Sequence, residues 1–171
     1  MNTVKVAHIL YTLCVSLFGG LLWVFELAVI PMLNTLSASD YTRIEQLLIK
    51  FIDTNFMNAI VIASIAMLLP LYPIIKLRKQ RQTKYWQFTL LGWLLFFFGV
   101  GLFTILLNAP INEYVKTWSI ENPPTDWIEA RDRWNLLNHI RTPINYVSLV
   151  MLLFAGFYIH DVEESQETPK T

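Results

Sequence analysis

One glutamate, one histidine and two arginines carry most of the chemical potential of this sequence. Glu26 lies in "LLWVFELAVI", and Arg131, His139 and Arg141 lie in "RDRWNLLNHIRTPINYV". All four sit within strongly apolar sequence or at its edge. A carboxylate or imidazole in such surroundings is a candidate general base, because burial and neighbours tune its hold on a proton. Arginines beside it would stabilise the oxyanion that proton removal leaves behind. The amides of Asn55, Asn58, Asn108, Asn112 and Asn145 and the hydroxyl of Thr142 add donors. Trp118, Trp127 and Trp134 add flat apolar walls. Together these residues suit a lipophilic small molecule.

Other chemistries fit poorly. The single cysteine, Cys14, allows neither an internal disulfide nor a cysteine-based metal site. His8, His139 and His160 show no metal-binding spacing. His8 and His160 should share one level, so a bis-histidine haem is conceivable in geometry, but terminal residues would be an unusual place for it. No glycine-rich phosphate loop and no G-x-S-x-G motif occurs. The expected site therefore holds no metal and no cofactor. A formal net charge of zero gives no reason to expect nucleic acid.

These side chains must be positioned by membrane helices. The 171 residues are 54% hydrophobic and only 15% charged, where a soluble domain is nearer a quarter charged. Apolar blocks run from about Val4 to Leu33, Thr54 to Leu77, Trp86 to Asn108 and Asn138 to Ile159. Each is about long enough to cross some 30 Å of hydrocarbon. The pattern predicts an all-α, integral membrane four-helix bundle. Residues 1–160 form one four-span domain, and 161–171 form a disordered acidic tail. "KLRKQRQTK" carries five basic residues and no acid, which places it and both termini in the cytoplasm. The plasma (inner) membrane is the expected location.

Two outer connections look helical. In "SDYTRIEQLLIKFIDTN", Tyr41, Ile44, Leu47, Leu48, Phe51 and Ile52 recur at helical spacing, with Thr42, Arg43, Glu45, Gln46 and Lys50 opposite. Pro110 should end the third span. Asp126 with Glu129 offers a capping box for a helix of roughly 30 residues leading into the fourth. Pro143 should leave the His139 carbonyl without its helical partner, favouring a kink. The predicted topology collects Glu26, the asparagines, His139 and Arg141 in the non-cytoplasmic half of the bundle. Either they floor a cavity, or they satisfy one another as interhelical glue.

"NAPIN" after one span, a tryptophan, and "R-x-R-W-x4-H-x-R-T" entering the next resemble the anthrone oxygenase-like family of small four-span membrane proteins, much of it described only as a domain of unknown function. "VIPML" and "FIDTN" fit too, so the resemblance runs from about Leu17 to Phe154. Its matching positions are Pro31, Asn55, Asn108, Pro110, Asn112, Trp118, Trp127, Arg131, Trp134, His139, Arg141 and Thr142. Glu26 is outside the pattern. The resemblance implies oxidation of anthrones to anthraquinones without metal or flavin. His139 or Glu26 would then be the base, and Arg131 and Arg141, with Asn108 or Asn112, would stabilise the enolate. The alternative is a non-catalytic membrane protein that binds a lipophilic ligand or serves as a subunit of a larger complex.

Overall fold

A computed structural model describes residues 3–54, 56–160 and 162. Among these, every regular element is helical. Helix α1 covers Thr3–Leu33, α2 Ala38–Thr54, α3 Phe56–Leu68 and α4 Leu71–Lys76. Helix α5 covers Lys84–Lys116 and α6 Trp127–Phe157. Three of them, α1, α5 and α6, are long and apolar enough to cross a membrane. The second expected span is carried by α3 and α4, whose described apolar stretch, Val61–Lys76, is shorter. The α-helix breaks between Leu68 and Leu71, at Pro70. Asn55 and the tail from 163 onward lie outside the described residues, as does the side chain of Asn58.

The local reasons are short. Thr83 accepts a hydrogen bond from the Trp86 amide and caps α5. Pro110 does not end this helix as the sequence led us to expect. The chain widens into a π-type segment at Thr104–Asn108, and Pro110 falls in the first turn of the α-helical stretch that follows. A proline there has no helical bond to lose. The capping box at Asp126 also fails to form: Asp126 is the N-cap of α6 but makes no cap bond. Its carboxylate instead accepts the Tyr114 hydroxyl at 3.0 and 3.1 Å, which ties α6 to α5. Helix α6 runs through Pro143 as one element of 31 residues.

Packing is layered along the bundle. A cluster at the end holding Val4 and Ile159 also joins Leu77, Tyr85 and Ala155. A middle one joins Tyr11, Val15, Leu22, Phe96, Val100 and Leu152. The cluster at the opposite end gathers Phe25, Leu33, Tyr41, Val115, Trp118 and Trp134 from α1, α2, α5, the turn after α5, and α6. Helices of 31 to 33 residues span about 45–50 Å at 1.5 Å per residue, so roughly a third of their length lies beyond a 30 Å hydrocarbon core. The cluster of Phe25, Leu33, Tyr41, Val115, Trp118 and Trp134 gives that surplus length a core of its own.

Close approach of α5 and α6 depends on Gly92. A Cβ there would meet Leu152 Cδ2 at 2.7 Å, and the Ser148 carbonyl oxygen at 3.1 Å. The Ser148 hydroxyl donates to the Gly92 carbonyl at 2.7 Å across the same contact. Gly92→Ala is expected to cost on the order of 2 kcal/mol through overpacking. The check is a lower midpoint of thermal unfolding in detergent.

Candidate functional site

Helical geometry first separates residues that look adjacent in sequence. Positions 139 and 141 are two apart and point to nearly opposite sides of α6, while 139 and 142 are neighbours on one side. The structure follows this rule. Arg141, Thr142, Asn138 and Asn145 are buried, and the His139 side chain is 53% exposed. Spacing puts Arg131, Trp134, Asn135, Asn138, Thr142 and Asn145 on one stripe of α6; all of these but Arg131 are buried.

Across from His139 lies Glu26, held in a π-type turn of α1, Phe25–Val29. Such turns rotate the following side chains relative to a regular helix and are frequent at functional sites. The His139 Nδ1 and Glu26 Oε2 atoms are 2.5 Å apart. The Thr142 hydroxyl donates to Glu26 Oε1 at 3.2 Å. Glu26 is thus held on both oxygens, with its side chain only 14% exposed. An Nδ1–H that donates to the carboxylate fixes the imidazole tautomer, which leaves the Nε2 lone pair open.

Arg141 belongs to a separate, deeper set. Its Nε and Nη2 donate to Asn138 Oδ1 at 3.1 and 2.6 Å, and its Nη1 donates to Thr104 Oγ1 at 2.8 Å on α5. Asn138 in turn donates to the Trp134 carbonyl at 2.8 Å. The guanidinium is therefore satisfied by neutral groups, in electrostatic reach of Glu26. Arg131 is elsewhere again. Eight residues from His139, it sits about 12 Å farther along the axis, bonded to Asp132 at 2.9 and 2.8 Å and stacked 5.2 Å from the Trp127 ring. The expected convergence of Arg131, His139 and Arg141 on one point is not what the helix presents.

The remaining candidates divide between bonding and burial. Trp134 Nε1 donates to Asn112 Oδ1 at 3.0 Å, and Asn135 Nδ2 donates to Asn34 Oδ1 at 2.9 Å. Asn108 and Asn145 are fully enclosed, and neither amide atom of either one has a partner. Asn145 lies against Gly19, where a Cβ would come within 2.4 Å of its Nδ2. Trp118 and Trp127 ring Tyr41 at 6.2 and 5.6 Å between centroids. A groove of about 260 Å³ runs between α5 and α6 past Pro110, Tyr114, Glu129 and Arg133, and no expected site residue lines it.

Helix α2 revises the sequence reading most. Thr42 and Glu45, expected on its solvent side, are buried, whereas Leu47 and Phe51 are exposed. The buried line is Tyr41–Glu45–Ile49, at spacing four, because α2 packs against the last turns of α5, with Tyr41 against Trp127 at the start of α6. Glu45 is 2% exposed, its Oε2 has no partner, and burial pushes its carboxyl up to about 7. That spacing was the one available signal for it. Gln46 docks the helix, its Nε2 donating to the Val115 and Trp118 carbonyls at 3.0 and 2.9 Å. Gln46→Ala is expected to lose about 1–2 kcal/mol, measured as faster amide exchange in α2.

In the inner half, His8 is also buried, its Nδ1 sharing a 2.6 Å hydrogen bond with the Tyr11 hydroxyl. No group of three or more metal-ligating side chains occurs among the described residues. No curated protein and no solved structure matches the chain. The family model described as anthrone oxygenase does match, over residues 47–151. That stretch carries Arg131, His139, Arg141 and Thr142 on the geometry above, while Glu26 and Glu45 precede it. It covers well over half of the 171 residues, and this chain belongs to the anthrone oxygenase family.

Proposed function

We propose that this protein is a membrane-embedded oxygenase that uses the Glu26–His139 pair to deprotonate a lipophilic, anthrone-like aromatic. The supporting observation is the 2.5 Å contact of Nδ1 with a carboxylate that a second helix supplies, on an imidazole that is half exposed. The substrate class comes from the family. Glu26 and Thr142 set the tautomer, and His139 Nε2 takes the acidic C–H proton. The electron pair of that bond remains on the substrate as an enolate. The new imidazolium stabilises it.

Dioxygen is both oxidant and oxygen source. A carbon–oxygen bond forms, and the peroxide takes the proton back from His139. Loss of the second hydrogen with cleavage of the O–O bond then gives a carbonyl and one water. No step calls on a metal or an organic cofactor. In this reading the deeper set, Arg141 with Asn138 and Thr104 and Trp134 with Asn112, holds the helices in register. Four spans, with the basic loop in the cytoplasm, would put the pair on the outer side of the plasma membrane. The test is oxygen uptake by the purified protein on addition of anthrone, with one anthraquinone formed per dioxygen consumed. Absence of both would refute the reading.

A further inference from the structure

The pair does not face the bundle interior. Glu26 and His139 meet at the seam of α1 and α6, and the surface around them is apolar and exposed. Trp23, one turn inward on α1, is 47% exposed, and Leu27 beside Glu26 is 63% exposed. Trp23 meets Tyr146 edge to face, 5.5 Å between centroids. Tyr146 lies two turns inward of His139 on the same side of α6. Between them stands Pro143, also exposed. Backbone regularity fails on both sides of the seam: α1 carries its π-type turn at Phe25–Val29, and Pro143 cannot donate to the His139 carbonyl.

Depth can be counted. About 20 residues, or about 30 Å, outward from Lys5, Trp86 and Tyr158 reach Phe25, Leu106 and Asn138. The pair therefore sits at the outer edge of the hydrocarbon, with Trp23, Pro143 and Tyr146 just beneath it, facing acyl chains.

We propose that the substrate reaches the pair sideways from the outer leaflet, lying flat against the seam with its rings on Trp23 and Tyr146. The occupant is a planar, largely apolar aromatic dissolved in the bilayer, whose acidic C–H comes up to His139 at the headgroup level. This rests on the reaction proposed above for the substrate, but the route has its own observable. A lipid-soluble carbodiimide approaches through the acyl region, while a water-soluble cationic one approaches from the aqueous side. Both leave a stable acylurea on a carboxyl group that mass spectrometry can map.

In nanodiscs of wild-type protein, dicyclohexylcarbodiimide is expected to modify Glu26 at least tenfold faster than the cationic reagent. Anthrone added to the bilayer should slow that modification several-fold, and Trp23→Ala should remove most of the protection. Equal labelling by the two reagents, or labelling that anthrone leaves unchanged, overturns the route. So does labelling by neither reagent in discs holding two chains, which would assign the face to a second copy. Labelling and protection without oxygen uptake would sink the reaction and leave the route standing.

Discussion

His139→Ala is expected to lower anthrone-dependent oxygen uptake by between about 10² and 10⁴, the usual contribution of a positioned general base. That range corresponds to roughly 3–5 kcal/mol of transition-state stabilisation. The fold should tolerate the change, since the side chain is half exposed and its one bond is to Glu26. An unfolding midpoint close to wild type would therefore accompany the loss. Glu26→Gln keeps an acceptor for Nδ1–H but removes the negative charge that favours the imidazolium, and should give an intermediate rate. Arg131→Ala should leave the rate nearly unchanged, because its guanidinium lies about 12 Å away along the helix and is occupied by Asp132. Unchanged uptake after His139→Ala would eliminate the pair as the catalytic base.

Glu45→Gln is expected to stabilise the protein above pH 7 by about 3 kcal/mol and to do little below pH 4.5. Burial raises the folded-state carboxyl from its ordinary 4.5 to about 7, and each unit is about 1.4 kcal/mol. A raised value means that the folded state binds the proton more tightly. Wild-type stability is thus full below pH 4.5 and falls as pH climbs to about 7, where a charged, partnerless carboxylate must stay enclosed. The glutamine has no proton to lose, so its stability should be flat through that window. Unfolding midpoints of both proteins between pH 4 and 8.5 measure this directly. Parallel curves would show that Glu45 is solvated or paired.

Some of the site could be read before any coordinates. The buried line from Trp134 to Asn145 follows from spacing alone, as does the opposition of His139 and Arg141, because one helix with a fixed repeat sets both. Leu47 and Glu45 show where that logic stops. Periodicity on α2 fits more than one stripe, and the packing partner chooses; here the last turns of α5, with Trp127, chose the stripe containing Glu45. Pro110 does not end α5 because a π-type segment precedes it and leaves it in the first turn of the α-helical stretch that follows, and nothing in a local pattern reveals such a segment.

By itself, the amino-acid sequence determined the helical class, that α1, α5 and α6 are long and apolar enough to cross a membrane, the family, and the polar side of α6. These depend on composition and on repeats within one element. Tertiary structure alone decided that His139, rather than Arg141, is the partner of Glu26, and that Arg141 turns inward to Asn138 and Thr104. It also decided that the His139 side chain stays half exposed where α1 and α6 meet. Each of these depends on the register and rotation of one helix against another, fixed by close contacts such as Gly19 on Asn145 and Gly92 on Leu152, which no single segment encodes.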